Sequence, residues 1–368
     1  MENYFHTNCL STSDDLRIFS RMSQKELAEI DRVIKRYPMR IPLAYFSLID
    51  QSDTNDPIAK MCVPSIKELD NSGSTDTSGE NSNTALAGVQ HKYQKTALIL
   101  TTNVCAMYCR HCFRKRMVGI TDAELNKQVD TAVQYVKDHP EINNVLLSGG
   151  DALMLPNSIL RRYLAELTSI DSLDFIRIGS RVPVVLPQRI SADNELLDIL
   201  SEYREKKTLF LVTQFNHPRE LGRDQMEAIQ CFLQRNIQVR NQTVLLRGIN
   251  DNASTLGALL HSATKNGIAP YYVFQCRPAR GVVGQFQVPL LEGIQIVSGA
   301  KSLQNGLGKS FRYVMSHPRG KIEILGMLND NRVLFQFHQS KSASDEGRIF
   351  IEHLSPQDTW LDDALSGI

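Results

Sequence analysis

The chain has 368 residues, of which 42% are hydrophobic, so it carries enough apolar material for one large core or for a barrel with appended elements. Its net charge of +1 gives no sign of a nucleic-acid or membrane-surface partner. No apolar run is long enough to span a bilayer, and the N-terminus lacks the basic region and apolar core of a secretory signal. Seven cysteines, four of them scattered, do not suggest a disulfide framework. These features predict a cytoplasmic protein.

The N-terminal part is predicted to be helical and then to pass into a polar linker. Ser23 and Glu26 have the spacing of a capping box, and apolar residues follow at helical intervals until Pro38 ends the run. Residues 71–88 are rich in Ser, Thr, Asn and Gly, so we expect a flexible connection or surface loop there.

From residue 97 onwards, short β-like runs alternate with helical segments. The predicted strands are Ala97–Thr101, Asn144–Ser148, Phe175–Gly179, Leu209–Thr213, Val239–Leu245 and Tyr271–Cys276. The predicted helices cover 121–138, 157–169, 192–206, 222–236, 253–266 and 290–304. This alternation predicts a parallel sheet with right-handed crossovers. After about residue 310, a smaller closing element is predicted from the β-like runs Phe311–Met315, Lys321–Leu325 and Val333–Phe337.

Three cysteines are bunched in the spacing CxxxCxxC, at Cys105, Cys109 and Cys112. Four thiolates complete an iron–sulfur cluster, so three in one loop indicate a [4Fe-4S] cluster with one iron free to take a ligand. That iron is where S-adenosylmethionine could bind and be cleaved. Structural zinc is the alternative, but zinc sites usually show a second cysteine pair or distant histidines, so we disfavour it. The spacing resembles the signature of the radical S-adenosylmethionine enzymes.

Longer stretches around these cysteines are similar to the lysine 2,3-aminomutase family. The similarity extends from about Tyr37 to about Leu325 and rests on runs that keep the family's order and spacing, at 101–104, 113–116, 146–153, 177–190, 215–218, 241–248 and 270–276. The resemblance implies an α/β fold with a partial (β/α)6 barrel of the TIM type, an N-terminal helical region and a small C-terminal β-rich element. It divides the chain into a helical region and linker, the radical S-adenosylmethionine barrel, and a C-terminal element with tail, at 1–90, 91–305 and 306–368. In such barrels the chemistry gathers at the carboxyl ends of the strands.

The resemblance also implies which residues contact S-adenosylmethionine. Gly149-Gly150-Asp151 resembles the glycine-rich element that meets the methionyl part of this cofactor, and glycine suits a close approach of backbone to ligand. Gln242 matches a glutamine that contacts the cofactor, and Gln214 stands where the lysine enzymes have histidine. A turn of this type and an inward-facing glutamine can also be purely structural.

Pyridoxal 5′-phosphate is the second cofactor that the resemblance implies. Lys321, after a Pro/Gly turn, resembles the lysine to which the family attaches this cofactor, and we predict it as the catalytic residue. Lys92 and Tyr93 match an Arg-Tyr pair that binds the phosphate, although lysine lacks the fork geometry of arginine. Arg181 is predicted as a further phosphate or substrate contact. The default interpretation of such cations is a solvated surface charge.

With both cofactors, the implied activity is an isomerisation that moves an amino group from the α- to the β-carbon of an L-amino acid. The reduced cluster would cleave S-adenosylmethionine to a 5′-deoxyadenosyl radical, which takes a hydrogen atom from the β-carbon. Arg114 matches the family arginine that holds the substrate carboxylate, where a bidentate pair fixes orientation. An exposed charge run is the alternative interpretation of that arginine.

Two departures from the family predict the substrate. The lysine enzymes hold the distal ammonium of lysine with two aspartates, and these positions align here with Arg277 and Ser316. A lysine ammonium beside Arg277 in a low-dielectric pocket would be strongly unfavourable. Arginine instead favours a carboxylate or another acceptor. We therefore predict glutamate or a similar acidic or polar amino acid ahead of lysine.

Other activities stay open at this point. They are a lysine 2,3-aminomutase, a relative that modifies a lysine on a translation factor, a radical enzyme without pyridoxal phosphate, and a non-enzymatic iron–sulfur protein. The expected partners are a small-molecule amino acid and a flavodoxin- or ferredoxin-like electron donor, with no nucleic acid and no membrane. The family's zinc-binding tail has no counterpart, because no cysteine follows Cys276, and a homo-oligomer is left open.

Overall fold

The N-terminal region forms short helices and one two-stranded pair. The structure is a computed structural model, and it describes residues 8–19, 22–362 and 365. The elements here are β1 (Cys9–Leu10), α1 (Gln24–Ile34), β2 (Ile41–Pro42), α2 (Leu43–Phe46) and α3 (Pro57–Cys62). Helix α1 begins at the predicted capping box, in which Glu26 N donates to Ser23 Oγ at 3.2 Å and Ser23 N donates to Glu26 Oε2 at 2.7 Å. The predicted N-terminal helix is therefore confirmed.

The polar stretch that follows, residues 71–88, is only in part the predicted surface loop: residues 71–75 are exposed, whereas several of the residues after them are buried in the fold. We name residues 71–83 the strap. Ser74 N donates to Pro278 O at 2.9 Å, and Arg280 N donates to Ser74 O at 3.0 Å. Its buried polar residues are Thr77, Ser78, Glu80 and Asn83. Composition misled the prediction because these side chains find their partners inside the protein rather than in water.

After the strap, the chain enters the sheet. The elements from the strap onwards are α4 (Glu80–Asn83), β3 (Thr84–Leu86), β4 (Val89–Tyr93), β5 (Thr96–Thr102), α5 (Val129–Lys137), β6 (Asn144–Gly149), α6 (Asn157–Thr168), β7 (Phe175–Gly179), α7 (Val182–Val185), α8 (Gln188–Ser191), α9 (Asn194–Lys206), β8 (Thr208–Thr213), α10 (Arg223–Leu233), β9 (Gln238–Leu245), α11 (Ala253–Lys265), β10 (Ile268–Gln275), α12 (Val283–Phe286) and α13 (Leu290–Ser302). The six predicted strand–helix units, β5 to α13, are all present. Among the described residues, no helix is long and apolar enough to cross a membrane.

One predicted helix is shorter than the pattern suggested. Residues 121–128 are not helical, and α5 starts only at Val129. Asn126 N donates instead to Leu100 O at 2.8 Å, so this segment lies along β5. A backbone bond to a strand edge has replaced the first two turns of the predicted helix.

The C-terminal part adds four strands to the same sheet. They are β11 (Arg312–His317), β12 (Gly320–Met327), β13 (Arg332–Ser340) and β14 (Ile349–His353). The sheet has twelve strands, which follow one another in chain order from β3 to β14. Strands β5 to β11 are parallel, whereas β3–β4 and β12–β14 are antiparallel. Within the described residues the edge strands β3 and β14 do not pair, and this open α/β sheet confirms the predicted fold class.

Alternation along the strands separates core from cavity. On β9, buried Val239, Asn241, Thr243 and Leu245 alternate with Gln242 and Val244, which face a cavity. The buried set packs towards the helices, as expected for a sheet covered by crossover helices. The side chains that alternate with this buried set, such as Gln242, are therefore available to contact a ligand in the cavity.

Candidate active site

A cavity of about 380 Å³ lies at the carboxyl ends of the parallel strands. This volume is in the range of pockets that bind small ligands. The structure brings every site residue predicted from the sequence to its lining: Lys92, Tyr93, Cys105, Cys109, Cys112, Arg114, Gly149, Gly150, Asp151, Arg181, Gln214, Gln242, Arg277, Ser316 and Lys321. Their shared location agrees with one active site, while their individual roles stay predictions.

The loop after β5, residues 103–120, carries the three cysteines, and we name it the cluster loop. Cys112 N donates to Cys109 O at 3.1 Å, and burial raises the pKa of the Cys105 and Cys112 thiols. Arg181 Nη1 lies 2.8 Å from Cys109 Sγ, so a cationic donor adjoins one of the three thiols. In the described ranges, no three His, Cys, Asp or Glu side chains are close enough to share a single metal ion. A four-iron cluster would not require the three thiols to meet at one ion, because each cysteine would bind a different iron.

Glu68, in the N-terminal region, anchors the cluster loop through two ion pairs. Fully buried Glu68 pairs with Arg110 and, at 2.7 Å, with Lys115. Arg110 Nη1 also donates to Pro38 O at 2.9 Å. Burial opposes ionisation of Glu68, but the two cations outweigh it and hold its pKa below the ordinary value. Sequence analysis missed Glu68, whose one visible signal was its capping box with Ser65.

The glycines at the end of β6 are required by packing against the end of β5 and the start of the cluster loop. A Cβ on Gly149 would lie 2.4 Å from Thr102 O, and one on Gly150 would lie 2.4 Å from Val104 O. Gly149 also has a φ of +125°. The predicted approach of a ligand stays a prediction, and the structure adds a constraint from the backbones of β5 and the cluster loop. The turn after β6 therefore leaves no room for a side chain at either glycine.

Asp151 and Arg181 join the ends of β6 and β7. The Asp151 carboxylate accepts from the backbone nitrogens of Arg181, Val182 and Leu153, at 2.6, 3.1 and 3.0 Å. Its oxygens are therefore occupied by backbone N–H groups. Burial raises the pKa of Asp151, although these donors oppose the shift.

The Arg181 guanidinium lies beside the cluster loop. Its Nε donates to Gln214 O at 2.9 Å, Nη1 donates to Cys109 Sγ, and Nη2 pairs with buried Glu220 and reaches Tyr45 Oη at 3.3 Å. Each nitrogen has a protein partner. The predicted phosphate contact of Arg181 stays a prediction, and these contacts favour a role next to Cys109.

Gln242 presents a free amide to the cavity. Its neighbours Asn241 and Thr243 point to the other face of β9 and donate to Phe215 O at 3.2 and 3.0 Å. In the described part of the chain, the Gln242 side chain makes no hydrogen bond. Its donors and acceptor are thus available to a ligand.

Lys321, on β12, is surrounded by aromatic rings. Ser316 lies opposite it on the neighbouring strand β11. Lys321 Nζ lies 4.3 Å from the centre of the Tyr272 ring and makes no hydrogen bond or ion pair within the described ranges. Burial lowers the pKa of Lys321 to about 7, and Arg177, Arg277 and Lys92 add to the shift. A lysine of this kind is partly neutral at pH 7 and can attack a carbonyl, which fits the predicted pyridoxal phosphate.

Lys92 lies at the same end of the cavity. Its Nζ donates to His317 O at 2.5 Å and to Ser78 O at 3.1 Å. Burial lowers its pKa to about 7, with further contributions from Arg277 and Lys341. Burial likewise raises the pKa of Tyr93. The crowding of cations here favours an anionic ligand such as a phosphate.

Glu80 on the strap is the carboxylate that balances the arginines after the cysteines. Its Oε1 accepts from Arg114 Nη2 at 2.9 Å, and its Oε2 accepts from Arg116 Nη2 at 2.5 Å. Burial opposes its ionisation, but Arg114, Arg277 and Arg116 outweigh it and hold the pKa of Glu80 at about 2. Arg114 Nη1 reaches Ser148 Oγ at 3.3 Å. Glu80 therefore holds Arg114 in the cavity wall.

Arg277, two residues after the end of β10, has no carboxylate partner of its own among the described residues. Nη1 donates to Ser78 Oγ at 2.8 Å, and Cζ lies 3.8 Å from the centre of the Phe113 ring. In the described residues, neither Nε nor Nη2 has an acceptor. Burial lowers its pKa to about 10, which still leaves it charged at neutral pH.

Sequence analysis missed several residues of the lining, among them Ser78, Glu80, Phe113, Arg177 and Gln339. Ser78 and Glu80 lie in a segment whose composition suggested a loop. Phe113 could have been found, because it directly follows Cys112. Arg177 lies on the cavity face of β7, where its Nη2 donates to Asn144 Oδ1 at 2.6 Å.

Several known proteins are similar to this chain along most of its length. A putative L-lysine 2,3-aminomutase of Aquifex aeolicus is 38% identical over 351 residues, which cover 95% of this chain and 93% of that protein. The L-lysine 2,3-aminomutase of Clostridium subterminale is 35% identical, covering 81% and 71%. A glutamate 2,3-aminomutase of Clostridioides difficile is 31% identical, covering 85% and 73%.

The remaining comparisons are weaker. No family model matches the chain. A radical SAM methyltransferase structure from Sphaerobacter thermophilus aligns with a TM-score of 0.36 and 12% identity, over 61% of this chain and 68% of that one, which is too distant for any inference. The identities to the full-length relatives are decisive by themselves. The chain therefore belongs to the lysine 2,3-aminomutase family and is an isomerase of the 2,3-aminomutase type.

Proposed function

We propose that this protein moves the amino group of an acidic amino acid, with glutamate as the leading candidate, from the α- to the β-carbon, using S-adenosylmethionine, a [4Fe-4S] cluster and pyridoxal phosphate. The reaction is an isomerisation: nitrogen moves from Cα to Cβ, and a hydrogen atom moves the other way. No net oxidant or reductant is consumed. An electron from a flavodoxin- or ferredoxin-like donor is needed only to reduce the cluster.

The observation that carries this proposal is the charge of the cavity around Arg277. Its lining includes four cations without a carboxylate partner in the described chain, and they are Lys92, Arg177, Arg277 and Lys321. The phosphate of the cofactor accounts for one or two of them. Arg277 then needs a further anion, and the side chain of the substrate is the group that reaches it.

The chain's own residues divide the work as follows. When bound, the cluster and S-adenosylmethionine supply the radical that removes hydrogen, and pyridoxal phosphate supplies the carbonyl that carries the nitrogen. Lys321 Nζ holds that cofactor and, with a pKa of about 7, gains or loses a proton easily at neutral pH. Arg114 orients the α-carboxylate, and the rings of Tyr93 and Phe274, each 5.9 Å from Lys321 Nζ, help to exclude water.

Lysine is a poorer fit to this cavity. Its distal ammonium would need an anionic partner, and Glu80 is already engaged by Arg114 and Arg116. Asp151 is engaged by backbone donors. A lysine substrate would therefore place a second cation near Arg277 without compensation.

Activity assays on a panel of amino acids test the proposal. The protein is reconstituted without oxygen, supplied with S-adenosylmethionine, pyridoxal phosphate and a reductant, and the products are separated and identified by mass. We expect a β-amino isomer of glutamate from the wild type and from the surface control Lys137→Ala, and none from Lys321→Ala. A wild type that prefers lysine would contradict the substrate, and one that forms 5′-deoxyadenosine but no isomer would contradict the amino shift.

A further inference from the structure

We propose that Phe113 and Ser78 are positioning residues that hold Arg277 as a preformed two-pronged donor for a side-chain carboxylate, and so determine the substrate class. This inference rests on the proposed function, because it concerns the same cavity. It concerns two residues that touch Arg277 and come from segments far from it in sequence. Phe113 belongs to the cluster loop, and Ser78 belongs to the strap.

Phe113 fixes the plane of the Arg277 guanidinium. Arg277 Cζ lies 3.8 Å from the ring centre, well within the distance at which a cation is attracted to an aromatic face. Arg114 Cζ lies 4.8 Å from the same ring. One phenylalanine therefore contacts both the arginine predicted to hold the α-carboxylate and the arginine predicted to hold the side chain, which sets the spacing of the two.

Ser78 fixes the rotation of the guanidinium within that plane. Its Oγ accepts from Arg277 Nη1 at 2.8 Å. Ser78 is itself immobilised, because its carbonyl accepts from Lys92 Nζ at 3.1 Å and because the strap is bonded to the backbone of Pro278. The hydroxyl thus selects which nitrogen of Arg277 faces the protein.

The remaining edge of Arg277 is the one suited to a carboxylate. In the described residues Nε and Nη2 have no acceptor, and both lie on the same side of the guanidinium, opposite the Nη1 contact. Two adjacent N–H donors match the two oxygens of a carboxylate in parallel hydrogen bonds. An amide offers one oxygen to the same edge, and an ammonium offers none. The expected order of side chains is therefore carboxylate, then amide, then ammonium.

The other charged groups around Arg277 do not supply this contact. Glu80 lies near but is bonded to Arg114 and Arg116, and Lys92 is another cation. The substrate carboxylate is thus the missing partner, and pre-orienting Arg277 reduces the entropy lost when it binds.

Direct binding separates this inference from the proposed reaction. The reconstituted holoenzyme is titrated calorimetrically with L-glutamate and with L-glutamine, and iron content is measured in every variant. We expect Phe113→Leu to weaken glutamate binding about tenfold and glutamine binding about twofold or less, because the leucine keeps apolar volume but has no ring face. Phe113→Tyr keeps the ring and should restore glutamate binding. Ser78→Ala should weaken glutamate binding about threefold to fivefold.

Phe210→Leu is the matched control. Arg240 Cζ lies 5.8 Å from the Phe210 ring, so this pair has the same chemistry, but neither residue lines the cavity. We expect unchanged glutamate binding in that variant. Because Phe113 adjoins Cys112, the leucine variant is judged only if it retains iron; if it does not, Ser78→Ala decides in its place.

The outcomes are distinct. Unchanged glutamate affinity in both Phe113→Leu and Ser78→Ala, with full iron, would overturn the inference, as would an equal loss in the tyrosine and leucine variants. A wild type that binds glutamate through this subsite but forms no β-amino isomer would overturn the proposed reaction and leave the subsite standing.

Discussion

The two ends of the cavity are built in different ways. At the cluster end, the cysteines come from one loop, and the nearby guanidinium of Arg181 has a protein partner at every nitrogen. At the substrate end, the strap, the cluster loop, the segment after β10 and strand β12 all contribute, and Arg277 has two nitrogens without an acceptor among the described residues. The protein itself thus occupies the nitrogens of Arg181, whereas the described residues leave two nitrogens of Arg277 available to a ligand.

The largest expected effect comes from removing one of the three cysteines predicted to bind the cluster. Cys112→Ala removes one of three thiolates, so we expect loss of bound iron and no cleavage of S-adenosylmethionine, while the fold is retained. Iron content and 5′-deoxyadenosine formation measure this. Cys231→Ala, on α10 and outside the cavity, is the control and should behave as wild type. Full iron and normal cleavage in Cys112→Ala would contradict the assignment of the cluster.

The next largest effect comes from reversing the charge at Arg277. Arg277→Asp replaces the cation with an anion, so kcat/KM should fall for glutamate and rise for lysine. We expect the ratio of the two values to change by about 100-fold or more. The ratio is measured by direct competition in one reaction mixture. Arg240→Asp, on β9 but outside the cavity lining, controls for the charge change itself. If lysine gains nothing in Arg277→Asp, Arg277 does not select the substrate.

A third change tests the ion pairs by which Glu80 on the strap holds Arg114 and Arg116 of the cluster loop. Glu80→Gln leaves Arg114 and Arg116 buried without their anion, so unfolding free energy should fall by about 3 kcal/mol. Glu124→Gln is the matched control, because Glu124 pairs with the same Arg116 at 2.7 Å but is 31% exposed, and should cost about 1 kcal/mol or less. Denaturant unfolding of both variants measures the difference.

The same variant has a predicted pH dependence. The pKa of Glu80 is about 2 in the fold against an ordinary 4.5, so its contribution is full above about pH 4.5. The gap between wild type and Glu80→Gln should therefore narrow as the pH falls from 4.5 towards 2. A gap that is constant over this range would mean that the Glu80 charge does not stabilise the fold.

The smallest effect concerns Lys321 and the loading of its cofactor. The pKa of Lys321 is about 7, so its amine is largely protonated below that pH and becomes a nucleophile above it. Incorporation of pyridoxal phosphate into the cofactor-free protein should accelerate up to about tenfold per pH unit below pH 7 and level off above it. Absorbance of the bound cofactor against time gives the rate. A rate still rising steeply at pH 9 would place the pKa near that of an ordinary lysine.

Local patterns predicted the cluster end well. The cysteine spacing, Gly149-Gly150-Asp151 and Gln242 all occur at strand ends, where parallel topology brings them together. Even there, the structure adds a reason for Gly149 and Gly150 beyond the predicted ligand contact, since their backbones lie against Thr102 and Val104. Glu68 was missed because its role depends on a contact across more than forty residues, with Arg110.

By itself, the sequence determined the family, the alternating α/β architecture and part of the set of residues that line the cavity, because these follow from short-range spacing and strand periodicity. The tertiary structure alone decided that the strap is part of the site, that Glu80 serves Arg114 and Arg116, and that Arg277 is held by Phe113 and Ser78. Ion pairs and ring contacts between distant segments depend on how the chain folds back on itself, and no local pattern encodes that geometry.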